Sequence, residues 1–198
     1  MKDSQIDFVC PAPVAAARAG GSPLVALEST LISHGLPHPE NIEVARGAEA
    51  AVRAAGAEPA TIAVIDGKPH TGLDDATMER LATEEGVKKL SRRDLPVALS
   101  GAAGAPALGA TTVSTTMILA RLAGCPMAAL SYDPKVEAAA AMSGVPCTDL
   151  RAWFSTEGLL AQWRGSVDQP ADEAELARLQ VQASEHGQVF SRMGSVAR

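Results

Sequence analysis

The chain reads as an α/β protein with a layered α/β/α core. Three observations carry that reading. Short apolar runs such as 59–65 alternate with stretches such as 42–55, where apolar residues recur at helical spacing. Asp74 and Asp133 stand where helices should start, and Gly56, Gly86, Gly124 and Gly144 where they should stop. The 198 residues suffice for one hydrophobic core, or one core with a weak appendage.

The elements follow in order. Residues 1–22 are expected to be an ordered-late or mobile lead-in, in which Pro11 and Pro13 interrupt any signal-like core. Pro23 to Leu27 predicts a buried strand ending at Glu28. Ile42, Ala45, Ala48, Val52 and Ala55 share a helical face, and Gly56 ends it. Pro59 to Ile65 is the clearest strand, closed by an Asp66-Gly67 turn. Asp74 caps the next helix, with Leu73 and Met78 at the staple positions and Gly86 beyond its end. Val87 to Leu90 predicts a short strand. Ser91-x-x-Asp94 predicts a helix that Pro96 keeps short or kinked. Residues 101–109 form a small-residue loop, and a helix apolar on nearly every face runs from Thr111 or Thr112 to Ala123. Residues 23–124 are therefore expected to be one α/β region and 125–198 a mostly helical tail. In that tail a strand is expected over 127–130, then helices over 134–143, 159–163 and 171–185.

Composition narrows the functional classes. The net charge is −6 and aromatics are 3 % of residues, which argues against a nucleic-acid binder working by phosphate contacts or base stacking. No apolar run is long enough to span a bilayer, so no membrane partner is expected. Cys10, Cys125 and Cys147 are odd in number and contain no CxxC pair. That suits a reducing cytoplasm and gives no thiolate zinc site of ordinary spacing.

Three segments carry candidate chemistry. Glu28 directly follows a strand, where open sheets bind ligands, so it could serve as an acid or base. It could equally cap a neighbouring helix. Lys89, Arg92 and Arg93 straddle a predicted helix start and suit an anion such as phosphate, or they are a solvated turn paired with Asp94. Gly109-Ala110-Thr111-Thr112-Val113 offers small residues, two hydroxyls and helix N–H groups as a phosphate cradle, or simply a Thr N-cap. It lacks the Gly-Lys-Ser/Thr ending of a P-loop. His34 and His38 cannot share a helical metal site, because Gly35 and Pro37 lie between them.

Taken together, these segments resemble the N-terminal half of the pseudouridine-5′-phosphate glycosidase, or indigoidine synthase A-like, family. The matching text is Val25-Ala26-Leu27-Glu28-Ser29-Thr30-Leu31-Ile32-Ser33-His34-Gly35-Leu36-Pro37, Pro59 to Ala63, Ser91 to Pro96 and Gly109 to Val113. The resemblance implies cleavage of the C–C glycosidic bond of pseudouridine 5′-phosphate to uracil and ribose 5-phosphate. It also implies a manganese cofactor and a homo-trimer. Glu28 falls on the family's acid/base glutamate, Lys89 on its substrate-binding lysine and Val113 on a backbone contact to substrate. Arg92, Thr111 and Thr112 are expected to help bind the sugar phosphate.

The family continues with a Gly-rich segment, a metal-binding Asp and a lysine in a Cys-Ala-Gly-Ala-Lys context that forms an imine with the opened ribose. That text does not occur in these 198 residues, so no metal ligand is expected here. Lys135, the only lysine after Gly124, stands in a different context. Residues 127–136 with Gly144-Val145-Pro146 instead resemble the C-terminal region of polysaccharide pyruvyl transferases. The expectation is a glycosidase-like chain that is weak or inactive alone. The alternatives are a non-catalytic sugar-phosphate-binding or subunit-association module, and a fused or frameshifted fragment.

Overall fold

The computed structural model describes residues 6–102, 104–153 and 155–167, and beyond them only positions 174, 177, 178, 181, 182 and 185. The helix expected over 171–185 therefore lies mostly outside the described residues.

The lead-in is more ordered than its prolines suggested. It forms α1 (Ala12–Ala19), with Pro11 as N-cap and Val14 buried. Proline in the first helical turn gives up an N–H that has no intrahelical partner, so it starts this helix rather than blocking it. Next come β1 (Leu24–Leu27), a π-helical turn (Leu31–Gly35), α2 (Glu40–Ala54), β2 (Glu58–Ile65) and β3 (Lys68–Thr71). α3 (Asp75–Thr83), β4 (Lys88–Leu90), α4 (Leu95–Leu99), β5 (Leu108–Thr111) and α5 (Val113–Leu122) complete the first part. The tail contains β6 (Ala129–Ser131), α6 (Pro134–Met142), β7 (Cys147–Asp149) and α7 (Thr156–Val167).

The main sheet is mixed and runs β1-β2-β5-β4, with β3 also on β2. The first half of β2 pairs in parallel with β1, Leu27 opposite Thr61. Its second half pairs antiparallel with β3 and with β5. β4 lies parallel to β5, with Leu90 opposite Thr111. The β2–β3 connection is tight because Asp66 (φ 47°) and Gly67 (φ 80°) both take left-handed conformations, which match the twist of a two-residue hairpin.

The two-residue period of β2 builds the layers. Ala63 and Ile65 join Ile32, Ile42, Met78 and Leu81 on one face, beneath the π-helical turn, α2 and α3. Ile62 and Val64 join Leu90, Leu95, Ile118 and Leu119 on the other, beneath α4 and α5. This is the α/β/α arrangement the sequence predicts.

After Gly124 the chain carries α6 and α7, as expected, and also a parallel pair. β6, α6 and β7 form a βαβ unit in which Ala129 lies opposite Cys147. Ala129, Ala139, Ala140 and Val145 of this unit pack on Met117 of α5, with Val113 and Val136 at the margin. α5 is thus shared: one side faces the sheet, the other the tail.

Candidate functional site at the converging strand ends

Three strands end at one place. Ser29, two residues past β1, donates its N–H to the Thr111 carbonyl at 3.2 Å. In return the Thr111 N–H donates to Ser29 Oγ at 2.9 Å. Both hydroxyls then donate to a single acceptor, the Ile62 carbonyl, at 2.6 Å each. On the far side of β5, the Thr112 N–H donates to the Leu90 carbonyl at 3.3 Å, and Thr115 Oγ1 donates to it at 2.8 Å. The backbones that carry Glu28, Lys89 and Val113 are therefore stitched together, although the three lie far apart in sequence.

Glu28 sits half-buried between β1 and the π-helical turn. Its Oε1 accepts the Leu31 N–H at 3.1 Å, and its Oε2 accepts the Thr30 hydroxyl. Glu28 therefore caps the adjoining turn, as its second reading held, while standing at the strand-end position of a reacting group. Single π-helical turns are frequent at functional sites. This one is anchored from behind by Asn41, whose Nδ2 donates to the Ile32 carbonyl at 2.6 Å and the Ala82 carbonyl at 3.0 Å.

Lys89 is exposed on β4, opposite Ala110 of β5. Arg92 is exposed in the turn that follows. The turn is closed by Asp94, whose Oδ2 accepts the Ser91 N–H at 2.7 Å and the Ser91 hydroxyl at 2.6 Å. The bonds confirm the Ser91–Asp94 pairing, but Asp94 rather than Ser91 is the N-cap. α4 is five residues long, with Pro96 in its first turn.

The third segment needs correction. Gly109, Ala110 and Thr111 are not a loop at a helix N-terminus but the buried strand β5. Thr111 is 0 % exposed. Its hydroxyl is committed to Ile62 and lies 2.8 Å from Thr116 Oγ1, so it holds strand ends together rather than presenting itself to a ligand. At Gly109 a Cβ would approach Leu90 Cγ to 2.9 Å, which is reason enough for a glycine there. The helix N-terminus lies just beyond. Thr112 is the N-cap of α5, yet its side chain caps no N–H; its hydroxyl lies 3.0 Å from Thr115 Oγ1 instead. Val113 is the first helical residue, and its side chain packs toward the tail.

The sequence singled out none of Ser29, Asn41, Thr115 and Thr116, all of them buried. The signal for Ser29 was a hydroxyl placed just after a strand; Asn41, Thr115 and Thr116 lie within helices and carried no such signal. Among the described residues, no group of three or more His, Cys, Asp or Glu side chains could hold a metal ion. No helix among them is long and apolar enough to cross a membrane.

Comparison with known proteins bears on the family of the chain. Residues 13–130 match the family described as "Indigoidine synthase A like protein". The chain is similar to the pseudouridine-5′-phosphate glycosidase of Jannaschia sp. (strain CCS1), 58 % identical over 111 residues that make up 56 % of this chain and 35 % of that one. It is also similar to the enzyme of the same name from Rhodospirillum centenum (strain ATCC 51521 / SW), 60 % identical over 60 % of this chain and 36 % of the relative. Among solved structures, the prealnumycin C-glycosynthase AlnA in complex with ribulose 5-phosphate aligns with a TM-score of 0.53 at 41 % identity. That alignment covers 62 % of this chain and 38 % of AlnA. An indigoidine synthase A-like protein from Thermotoga maritima also aligns with a TM-score of 0.53, at 28 % identity, covering 65 % of this chain and 40 % of its own. The chain spans 35–36 % of the length of these curated relatives.

Proposed function

The chain belongs to the indigoidine synthase A-like family, and from that premise we propose that it carries the sugar-phosphate and acid/base half of a pseudouridine-5′-phosphate glycosidase site. The observation that supports this most is the convergence of β1, β4 and β5, which brings together the backbones bearing Glu28, Lys89 and Val113. Those are the residues the family resemblance marks as acid/base, substrate lysine and backbone contact.

Each has a physical task. Glu28 moves a proton at the reacting sugar from a position fixed by its bonds to the π-helical turn. Lys89 contributes a point charge to the phosphate, and Arg92 a planar fork. The first N–H groups of α5 lie at the positive end of a helix whose N-cap side chain leaves them to other acceptors. Thr112 adds a hydroxyl at the same end. Thr111 acts only through the junction it braces.

The lysine that the resemblance places in a Cys-Ala-Gly-Ala-Lys context has no counterpart in these 198 residues. Loss of a covalent nucleophile costs several orders of magnitude in rate. By themselves these residues therefore bind the sugar phosphate but turn it over little or not at all. No step is assigned to a metal. We place the chain in the cytoplasm as a homo-oligomer, a trimer by the same resemblance; light scattering on the eluted species measures this.

Calorimetric titration with ribose 5-phosphate tests the reading. Saturable binding is expected, weakened at least about tenfold by Lys89→Ala, the size of a lost bond to a charged group. No heat with either protein would overturn it.

A further inference from the structure

Asn41 stands in the first turn of α2, behind the turn that carries Glu28's bonds, and is 2 % exposed. Asn is a poor helix former, because its amide competes with the backbone for hydrogen bonds. Here the whole amide is committed to backbone groups. Nδ2 donates to the Ile32 carbonyl at 2.6 Å and to the Ala82 carbonyl at 3.0 Å. Oδ1 accepts the Ile42 N–H at 2.8 Å, one of the N–H groups that open α2 without an intrahelical partner. The backbone N–H of Asn41 donates to the Pro37 carbonyl at 3.0 Å.

These bonds put one residue where three elements meet. Ile32 lies inside the π-helical turn and Pro37 just beyond it, so Asn41 holds the turn at two points. Ala82 lies in the last turn of α3, where carbonyls have no partner within the helix. From the front, the turn is held by the end of β1. The Leu31 N–H donates to Glu28 Oε1 at 3.1 Å, and the Ile32 N–H donates to the Ser29 carbonyl at 3.1 Å. The carbonyl that Asn41 grips thus belongs to the residue after the one that binds the Glu28 carboxylate. Ser33 adds no side-chain bond to the turn, since its Oγ is buried without a partner.

We propose that Asn41 is a positioning residue for Glu28. It fixes the carboxylate at the strand-end site through the π-helical turn and ties that position to the end of α3. The proposal rests on the reading of Glu28 as the acid/base group. A reacting group has to be held within about 0.5 Å of its working place by the side chains behind it. An Asn amide supplies two donors and an acceptor on a short stem; an ionised Asp offers no donor, and Leu offers neither.

The test follows the Leu31 amide by NMR in the full chain with isotope-labelled leucine, the signal being identified by its loss in Leu31→Met. Asn41→Ala should shift this signal and speed its exchange with solvent at least about tenfold, because two carbonyls lose their donor. Glu49→Ala is the control for stability alone. It deletes a buried 2.6 Å bond to Thr61 from the same helix without touching the turn, and should leave the Leu31 signal in place. Melting curves check that both variants fold. A reciprocal measurement needs no Asn41 variant: Glu28→Gln should shift the side-chain amide signals of Asn41. A Leu31 signal that stays in place in Asn41→Ala would overturn the proposal. So would one that moves as far in Glu49→Ala, or Asn41 side-chain signals that ignore Glu28→Gln. A failure of the acid/base reading shows separately, as ribose 5-phosphate that binds the wild-type chain yet leaves its Leu31 signal unmoved.

Discussion

At Gly109 and Thr111, two residues apart on one buried strand, the identity of a residue is set by what touches it inside the protein. A Cβ at position 109 would drive into Leu90, which is 1 % exposed and cannot retreat. Gly109→Ala is expected to destabilise by about 1–3 kcal/mol, the cost of overpacking a close-fitting core. Denaturant melts measure it, and in a double-mutant cycle Leu90→Ala should cost less in the Gly109→Ala chain than in the wild type. Thr111→Val removes the hydroxyl that donates to Ile62 and meets Thr116. It should lower stability by about 1–3 kcal/mol, because Thr116 and Ile62 lose a partner in a dry site. Calorimetry on the folded variant should show sugar-phosphate affinity little changed. A selective loss of affinity with unchanged stability would return Thr111 to the ligand.

Among the elements, α3 is the one most fully legible in the sequence, and its start gives a pH prediction. Asp74 accepts the Thr77 N–H at 2.7 Å, and Met78 beyond it is buried. Hydrogen bonds from the Thr77 side chain and then its backbone hold the Asp74 carboxyl below its ordinary range. A lowered carboxyl favours the folded state above the pKa of the unfolded chain, and that contribution fades as pH falls through the folded value. Asp74→Ala should therefore cost ~1 kcal/mol at neutral pH and nearly nothing once the pH has fallen far enough to protonate the folded carboxyl. Melts across that range measure it. The same rules of capping and period found α2, β2, α5 and α6, where pattern and local chemistry agree.

They missed β3, β5 and β7 for particular reasons. Lys68-Pro69-His70-Thr71 has no strand-like alternation, and its proline cannot donate. It is a strand because the Asp66-Gly67 turn folds it back on β2 and because Pro69 offers its carbonyl to Val9. Leu108-Gly109-Ala110-Thr111 is too small and glycine-bearing to look like a strand, yet small residues are what its position between β2 and β4 admits. β7 is three residues long and exists by pairing with β6. The placement of the candidate site was legible at Glu28 and Lys89, which stand at or beside strand ends visible in the pattern. It was misread at Thr111, because a hydroxyl beside a helix start looks the same whether it faces a ligand or a neighbouring carbonyl.

For the molecule as a whole, the questions are how the tail is joined to the core and what the joined chain does. Ala140 is 0 % exposed where α6 meets α5. Ala140→Asp would bury a carboxylate against Met117 and should cost upwards of about 3 kcal/mol. Because α5 also packs on the sheet, the melting transition of the core should move with that of the tail. A core transition that stays in place would mean the two parts fold independently. Trp153 (90 % exposed) and Tyr132 (74 % exposed) leave the tail with more uncovered aromatic surface than the rest of the described chain. The core brings the acid, the basic strand and the helix end to one place, but these residues include no lysine in the context the family resemblance marks as the nucleophile. The central claim is a site that binds without turning over. Incubation of the 198-residue chain with pseudouridine 5′-phosphate and Mn²⁺, followed by chromatography for uracil, tests it most directly. The account predicts no uracil above the level given by Glu28→Gln; uracil released at a steady rate that Glu28→Gln abolishes would contradict it.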